Sequence, residues 1–68
     1  MPKRLPSADF IRIPTSHHFE FVSKRDSHAK YQDSHGHTVI VPHPRKDIPV
    51  GTLRSMIRQS GLPDALFE

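Results

Sequence analysis

No cysteine occurs in the chain, so neither a disulfide framework nor a thiolate metal site can reinforce it, and a reducing compartment is compatible with its composition. Long apolar runs are missing too. No stretch approaches the ~20 apolar residues of a membrane-spanning helix. The opening Met1-Pro2-Lys3-Arg4-Leu5-Pro6 lacks the apolar segment of a secretory leader. The expectation is a soluble, cytoplasmic protein. Internal repeats and low-complexity tracts are absent. A chain of 68 residues has room for one small domain, 1–68, with a thin core, because chains of this size bury only ~60% of their unfolded surface.

What is there is an excess of positive charge. Lys and Arg number 10 against 7 Asp and Glu, a formal net charge of +3, and 6 histidines add more as pH falls. Such a surface suits a polyanion, but the same charge also merely keeps a small domain soluble, so the placement of the cations has to decide.

The most informative stretch is 26–42, which reads as a β-hairpin. Strand side chains alternate with period two, so Ser27, Ala29 and Tyr31 share one face while His28, Lys30 and Gln32 share the other. Asp33-Ser34-His35-Gly36 carries residue types that tolerate turn backbone. The second strand, 37–41, is β-branched at Thr38, Val39, Ile40 and Val41; Pro42 ends it, and Val39 and Val41 face the core.

Residues 1–6, with two prolines and two basic side chains, read as a poorly ordered arm. Ser7 suits an N-cap, with Asp9 in the first turn of a helix that buries Phe10 and Ile13. Pro14 leaves that helix short or broken. The compact run Phe10-Ile11-Arg12-Ile13 also fits an edge strand. Phe19 to Ser23 reads as a strand with Phe19 and Phe21 both in the core, and Lys24-Arg25-Asp26 turns the chain into the hairpin. Residues 42–50, with three prolines, form a stiff surface loop anchored by Ile48 and Val50. A final helix from about Gly51-Thr52 presents Leu53, Met56 and Ile57 inward, with small Ser60 allowing close approach and Gly61 as its stop. Arg54 and Arg58, four residues apart, form a basic row away from that stripe. Residues 62–68 supply material for one more turn, which packs back or frays.

The pattern is α-β-β-β-α: an α+β fold in which a three-stranded antiparallel sheet carries both helices on one face and leaves the other open. Lys24, Arg25, Lys30, Arg45, Lys46, Arg54 and Arg58 are the cations available to RNA phosphates. His35 and His37, two apart in the hairpin, and His43 after a proline invite a metal reading. No acidic or thiolate ligand stands at a fixed spacing from them, and solvated hairpin histidines are the stronger alternative. No metal and no cofactor is called for. A lone strand histidine such as His28 is, by default, a surface residue.

Ser27-His28 after a basic run, Tyr31, the Thr38-Val39-Ile40-Val41-Pro42 strand, and Gly51-Thr52-Leu53-Arg54-Ser55-Met56-Ile57-Arg58-Gln59-Ser60-Gly61 together resemble the HicA toxins of bacterial toxin–antitoxin pairs. The resemblance covers about residues 19–62. It implies a double-stranded-RNA-binding-domain-like fold, a metal-independent endoribonuclease that cleaves mRNA and arrests translation, His28 as the catalytic residue, and a HicB-type antitoxin as partner. Two positions depart from the family pattern: His18 and Asp26 stand where glycines are usual. Asp26 tolerates a left-handed turn position, and its charge lies close to His28 in sequence, where it either holds the imidazole or raises its pKa. A non-catalytic RNA-binding module, or a degraded member that only binds a partner, are the alternatives.

Overall fold

A computed structural model describes residues 4–67. The element order is α1 (Ser7–Ser16), β1 (Glu20–Arg25), β2 (His28–Gln32), β3 (Thr38–Pro42) and α2 (Val50–Ser60), then a 3₁₀ turn, Asp64–Phe67. The strands form an antiparallel meander in the order β1-β2-β3. Alternation along β2 and β3 divides the sheet cleanly. Ala29, Tyr31, Val39 and Val41 are buried, and they join Phe10 of α1 and Leu53, Met56 and Ile57 of α2 in one hydrophobic cluster. Both helices therefore cover the same sheet face, and fully burying each large side chain contributes roughly 1.5–3 kcal/mol. The intervening residues, His28, Lys30, Gln32, Thr38, Ile40 and Pro42, are at least partly exposed on the opposite face.

The first helix is a helix, not an edge strand, and it is not broken at Pro14. Proline withholds the N–H that the Phe10 carbonyl would receive, but it lies in the last turn, where one bond is lost and the helix ends soon after. Three side chains then bond back to the carbonyls of that turn: Thr15 Oγ1 to Ile11 (2.8 Å), Ser16 Oγ to Arg12 (2.7 Å) and His17 Nδ1 to Ile13 (2.9 Å). Pro14 itself is buried, and its carbonyl accepts the N–H groups of His17 and Phe19. Ser7 is not the N-cap. It is the first helical residue, and its buried hydroxyl accepts the Arg45 N–H (2.9 Å) and shares a hydrogen bond with His43 Nδ1 (2.6 Å), clamping the loop after β3 onto the helix start.

The expected arm is tied down over the part described. Leu5 forms an antiparallel bridge with Ile48, and Arg4 makes an exposed ion pair with Asp47 at 3.0 Å; residues 1–3 lie outside the described residues. Ile48, fully buried, anchors the loop as expected. At the other end the chain packs back: the rings of Phe67 and Phe10 stack with centroids 5.1 Å apart.

Phe19 is buried but Phe21 is 57% exposed, against the expectation that both enter the core. β1 is an edge strand whose residues are all exposed, and the helices lie over β3 instead. Phe21 faces the helix side opposite Tyr31, making an edge-on ring contact at 5.7 Å, with no helix above it.

Two turns show how tightly the sheet is held. In the β2–β3 hairpin, Asp33 Oδ1 accepts the N–H groups of His35 (3.0 Å) and His37 (2.8 Å), and Oδ2 accepts His37 Nδ1 (2.9 Å). Partial burial alone would raise the Asp33 carboxyl; these hydrogen bonds, the His37 ring first, outweigh it and hold the group below its ordinary value of 3.8. The His37 ring lies in turn against Gly61, which ends α2 in the left-handed conformation at φ 70°. A Cβ built on Gly61 would meet His37 Nε2 at 2.7 Å. The hairpin tip and the end of α2 are thus locked together.

Three outcomes are expected. Gly61→Ala combines left-handed strain with displacement of the His37 ring and should cost ~1–3 kcal/mol in denaturant unfolding; in a His37→Ala background the cost should shrink toward the backbone share alone. His18 also occupies the left-handed region, at φ 72°, so His18→Gly should raise stability by up to about 1 kcal/mol, read as a higher Tm. Because the Asp33 pKa is lowered on folding, its contribution is complete above the ordinary 3.8 and is lost as pH falls through the lower folded value. The stability gap between wild type and Asp33→Asn, followed by circular dichroism, should therefore close under acid.

Candidate nucleic-acid interface and His28

His28 opens β2 directly after the two-residue turn Asp26–Ser27. Asp26 adopts φ 55°, the left-handed conformation that makes so short a turn possible and that Asp tolerates better than most residues. The turn places His28 at one end of the open sheet face, opposite Arg25 of β1 and Pro42 of β3. Residues directly opposite in antiparallel strands have Cβ atoms ~4.5–5.5 Å apart. Lys30 is the next residue on that face of β2, ~7 Å farther along, with Ser23 and Ile40 as its cross-strand neighbours.

The pairing of β1 with β2 is irregular. Phe21 pairs with Tyr31 and Ser23 with Lys30, so Val22 is an extra residue and the strand bulges there. One extra residue reverses the facing of everything after it. Ser23 and Arg25 consequently join His28 and Lys30 on the open face, while Lys24 pairs with Ala29 and turns to the helix side. Nothing in the composition of Phe21-Val22-Ser23 marks a bulge, so the sequence alone gives no reason to tell Lys24, Arg25 and Lys30 apart. The structure separates them.

Among the described residues, no side chain is hydrogen-bonded to the His28 imidazole, and no carboxylate forms an ion pair with Arg25 or Lys30. The expected contact from Asp26 is not made: the turn that needs its backbone in the left-handed region leaves its carboxylate without a bond to the ring. The acidic residue that does share the face, Glu20, pairs with Gln32 at the far end of the sheet. Arg25 and Lys30 therefore stand toward the His28 end of this face, with Asp26 in the adjoining turn.

The other cations fall into two groups. Arg45 and Lys46 follow β3 in the loop that Ser7 holds; the N–H of His43 donates to the Ser27 carbonyl (2.8 Å), so this loop leaves the sheet at the His28 end. Arg54 and Arg58 are exposed on α2, on the layer that covers the buried face. Gln59 is the α2 side chain that reaches the sheet edge, with Oε1 accepting the Ile40 N–H at 3.4 Å. Each helical residue advances ~100°, which puts the arginine row on another flank, away from the open face. The structure brings Arg25 and Lys30 to His28, sets Arg45 and Lys46 beyond the same end, and leaves Arg54 and Arg58 apart.

The remaining histidines do not converge. His37 is held by Asp33 at the hairpin tip and His43 by Ser7 at the opposite end of β3. Among the described residues no three His, Asp or Glu side chains gather in one place. Among the described residues, one surface depression lies beside Phe21, Val22 and Asp33 and another between the start of α1 and Arg45. His28 lines neither of them and is exposed on the sheet face. No helix is long and apolar enough to cross a membrane among the described residues.

No curated protein matches the chain. A family model does: that of the HicA toxin of bacterial toxin–antitoxin systems matches residues 7–62, which take in both helices and all three strands. The chain belongs to the HicA toxin family, whose members are the toxin components of bacterial toxin–antitoxin systems.

Proposed function

We propose that this protein is a metal-independent endoribonuclease that cleaves mRNA in the cytoplasm, with His28 as its proton-transfer group and a HicB-type antitoxin as the partner that silences it. The observation that carries the reading is the position of His28: an imidazole on an open sheet face that, among the described residues, makes no hydrogen bond and stands beside two cations without carboxylate partners, in a member of a toxin family. An imidazole can exchange protons at neutral pH without a cofactor. His28 takes the proton of a ribose 2′-hydroxyl; O2′ forms a bond to the adjacent phosphorus as the P–O5′ bond breaks, and the departing 5′-oxygen takes a proton from water. The products are a 2′,3′-cyclic phosphate and a 5′-hydroxyl. Single-domain cations, Arg45 and Lys46 at the same end and Arg54 and Arg58 on α2, supply further phosphate contacts, and an antitoxin silences the toxin by covering the His28 face.

His28→Ala should lower the rate of RNA cleavage by about 10²-fold or more, while RNA binding and the Tm stay close to wild type. A substrate with 2′-deoxyribose at the cut site should resist wild-type enzyme, and a chelator should leave the rate unchanged. Undiminished cleavage by His28→Ala would refute the assignment, whereas a wild-type protein that binds RNA without cutting it would identify a binding module.

A further inference from the structure

The ribonuclease reading leaves open which cation meets the reacting phosphate. Resting on that reading, we propose that Arg25 is the catalytic residue that grips the scissile phosphate beside His28 and stabilises the charge developing on it, and that Lys24, its neighbour in sequence, takes no part.

The assignment comes from the register of β1. In an unbroken strand, Lys24 would share a face with Val22 and Glu20, and Arg25 would point with Phe21 toward the helices. The extra residue at Val22 exchanges those two positions: Arg25 becomes the cross-strand partner of His28, and Lys24 that of Ala29, which is 1% exposed beneath the helices. The two-residue turn fixes this pairing closely, since Arg25 and His28 are the residues on either side of it. Among the described residues the Arg25 guanidinium has no hydrogen-bonded or ionic partner, so its donors are available.

The chemistry distinguishes Arg25 from Lys30 as well. As O2′ adds to phosphorus and the P–O5′ bond weakens, negative charge builds on the two non-bridging oxygens. A guanidinium presents a planar fork that donates to both at once, whereas an ammonium acts as a point charge. Lys30 lies two residues along β2 from His28, and its ammonium suits a neighbouring phosphate. Donors already aimed at developing charge typically contribute 10² to 10³ in rate.

The test compares Arg25→Ala, Arg25→Lys and Lys24→Ala of the full chain in single-turnover cleavage of one defined RNA, with binding measured on the same RNA carrying 2′-deoxyribose at the cut site. Arg25→Ala should lose about 10²-fold or more in the saturated rate and only a few-fold in binding. Arg25→Lys should recover part of the loss, and Lys24→Ala should stay within about three-fold of wild type. Thermal unfolding should be unaffected in all three, because neither side chain is buried. Equal losses in Arg25→Ala and Lys24→Ala, or a fully active Arg25→Ala, would overturn the assignment while the ribonuclease reading stood. A wild-type protein that cuts no RNA would overturn both, and His28→Ala run alongside separates the two failures.

Discussion

The contact on which everything else depends is the burial of one face of a three-stranded sheet under two helices. Ala29, Tyr31, Val39 and Val41 meet Phe10, Leu53, Met56 and Ile57 in a single cluster, and a chain this small has no further layer to bury the opposite face. That shortage has a functional result. The face without a cover carries exposed His28 together with Arg25 and Lys30, and it stays open because the core could not extend to it. Polar groups inside the covered layer are few and satisfied: buried Ser60 donates to the Ile57 carbonyl and accepts the Leu62 N–H, and buried Ser7 binds His43 and Arg45.

The parts of this arrangement that follow period-two or 3.6-residue rules were legible in the sequence. The facing of β2 and β3, the inward stripe of α2, its stop at Gly61 and the anchor at Ile48 all follow from side-chain spacing and turn chemistry. The exposure of His28, on the face opposite Ala29 and Tyr31, follows from the same alternation. What was not legible depends on contacts between distant residues or on counting across a strand pair. Ser7 has the chemistry of an N-cap, but its hydroxyl is claimed by a loop 36 and 38 residues away in sequence, at His43 and Arg45. Pro14 looks like a helix breaker, and only the back-bonding of Thr15, Ser16 and His17 shows how the last turn tolerates it. Phe21 has every intrinsic property of a core residue; it is exposed because the helices cover β3 more than β1.

The histidines illustrate why composition alone says little about chemistry. His17, His37 and His43 each commit a ring nitrogen to a partner, one closing a helix, one bracing a hairpin, one tying a loop to a helix start. His18 matters through its backbone, which takes a conformation that most side chains avoid. Among the described residues the His28 ring has no hydrogen-bond partner, and neither do the His18 and His35 rings; His28 is set apart by its place opposite Arg25 on the open sheet face.

The bulge at Val22 has a consequence for how such a chain can drift over generations. The two-residue turn holds Arg25 opposite His28 whatever precedes it, so the extra residue decides the facing of the strand before it: with it, Phe21 stays on the helix side opposite Tyr31. Conservative replacements at Val22 or Ser23 leave that count alone. Loss of a single codon at Val22 would restore regular alternation while keeping Phe21 opposite Tyr31 and Arg25 opposite His28, whereas gain of one would turn Phe21 to the open face. The short edge strand is therefore permissive toward spelling and toward loss, and strict about growth.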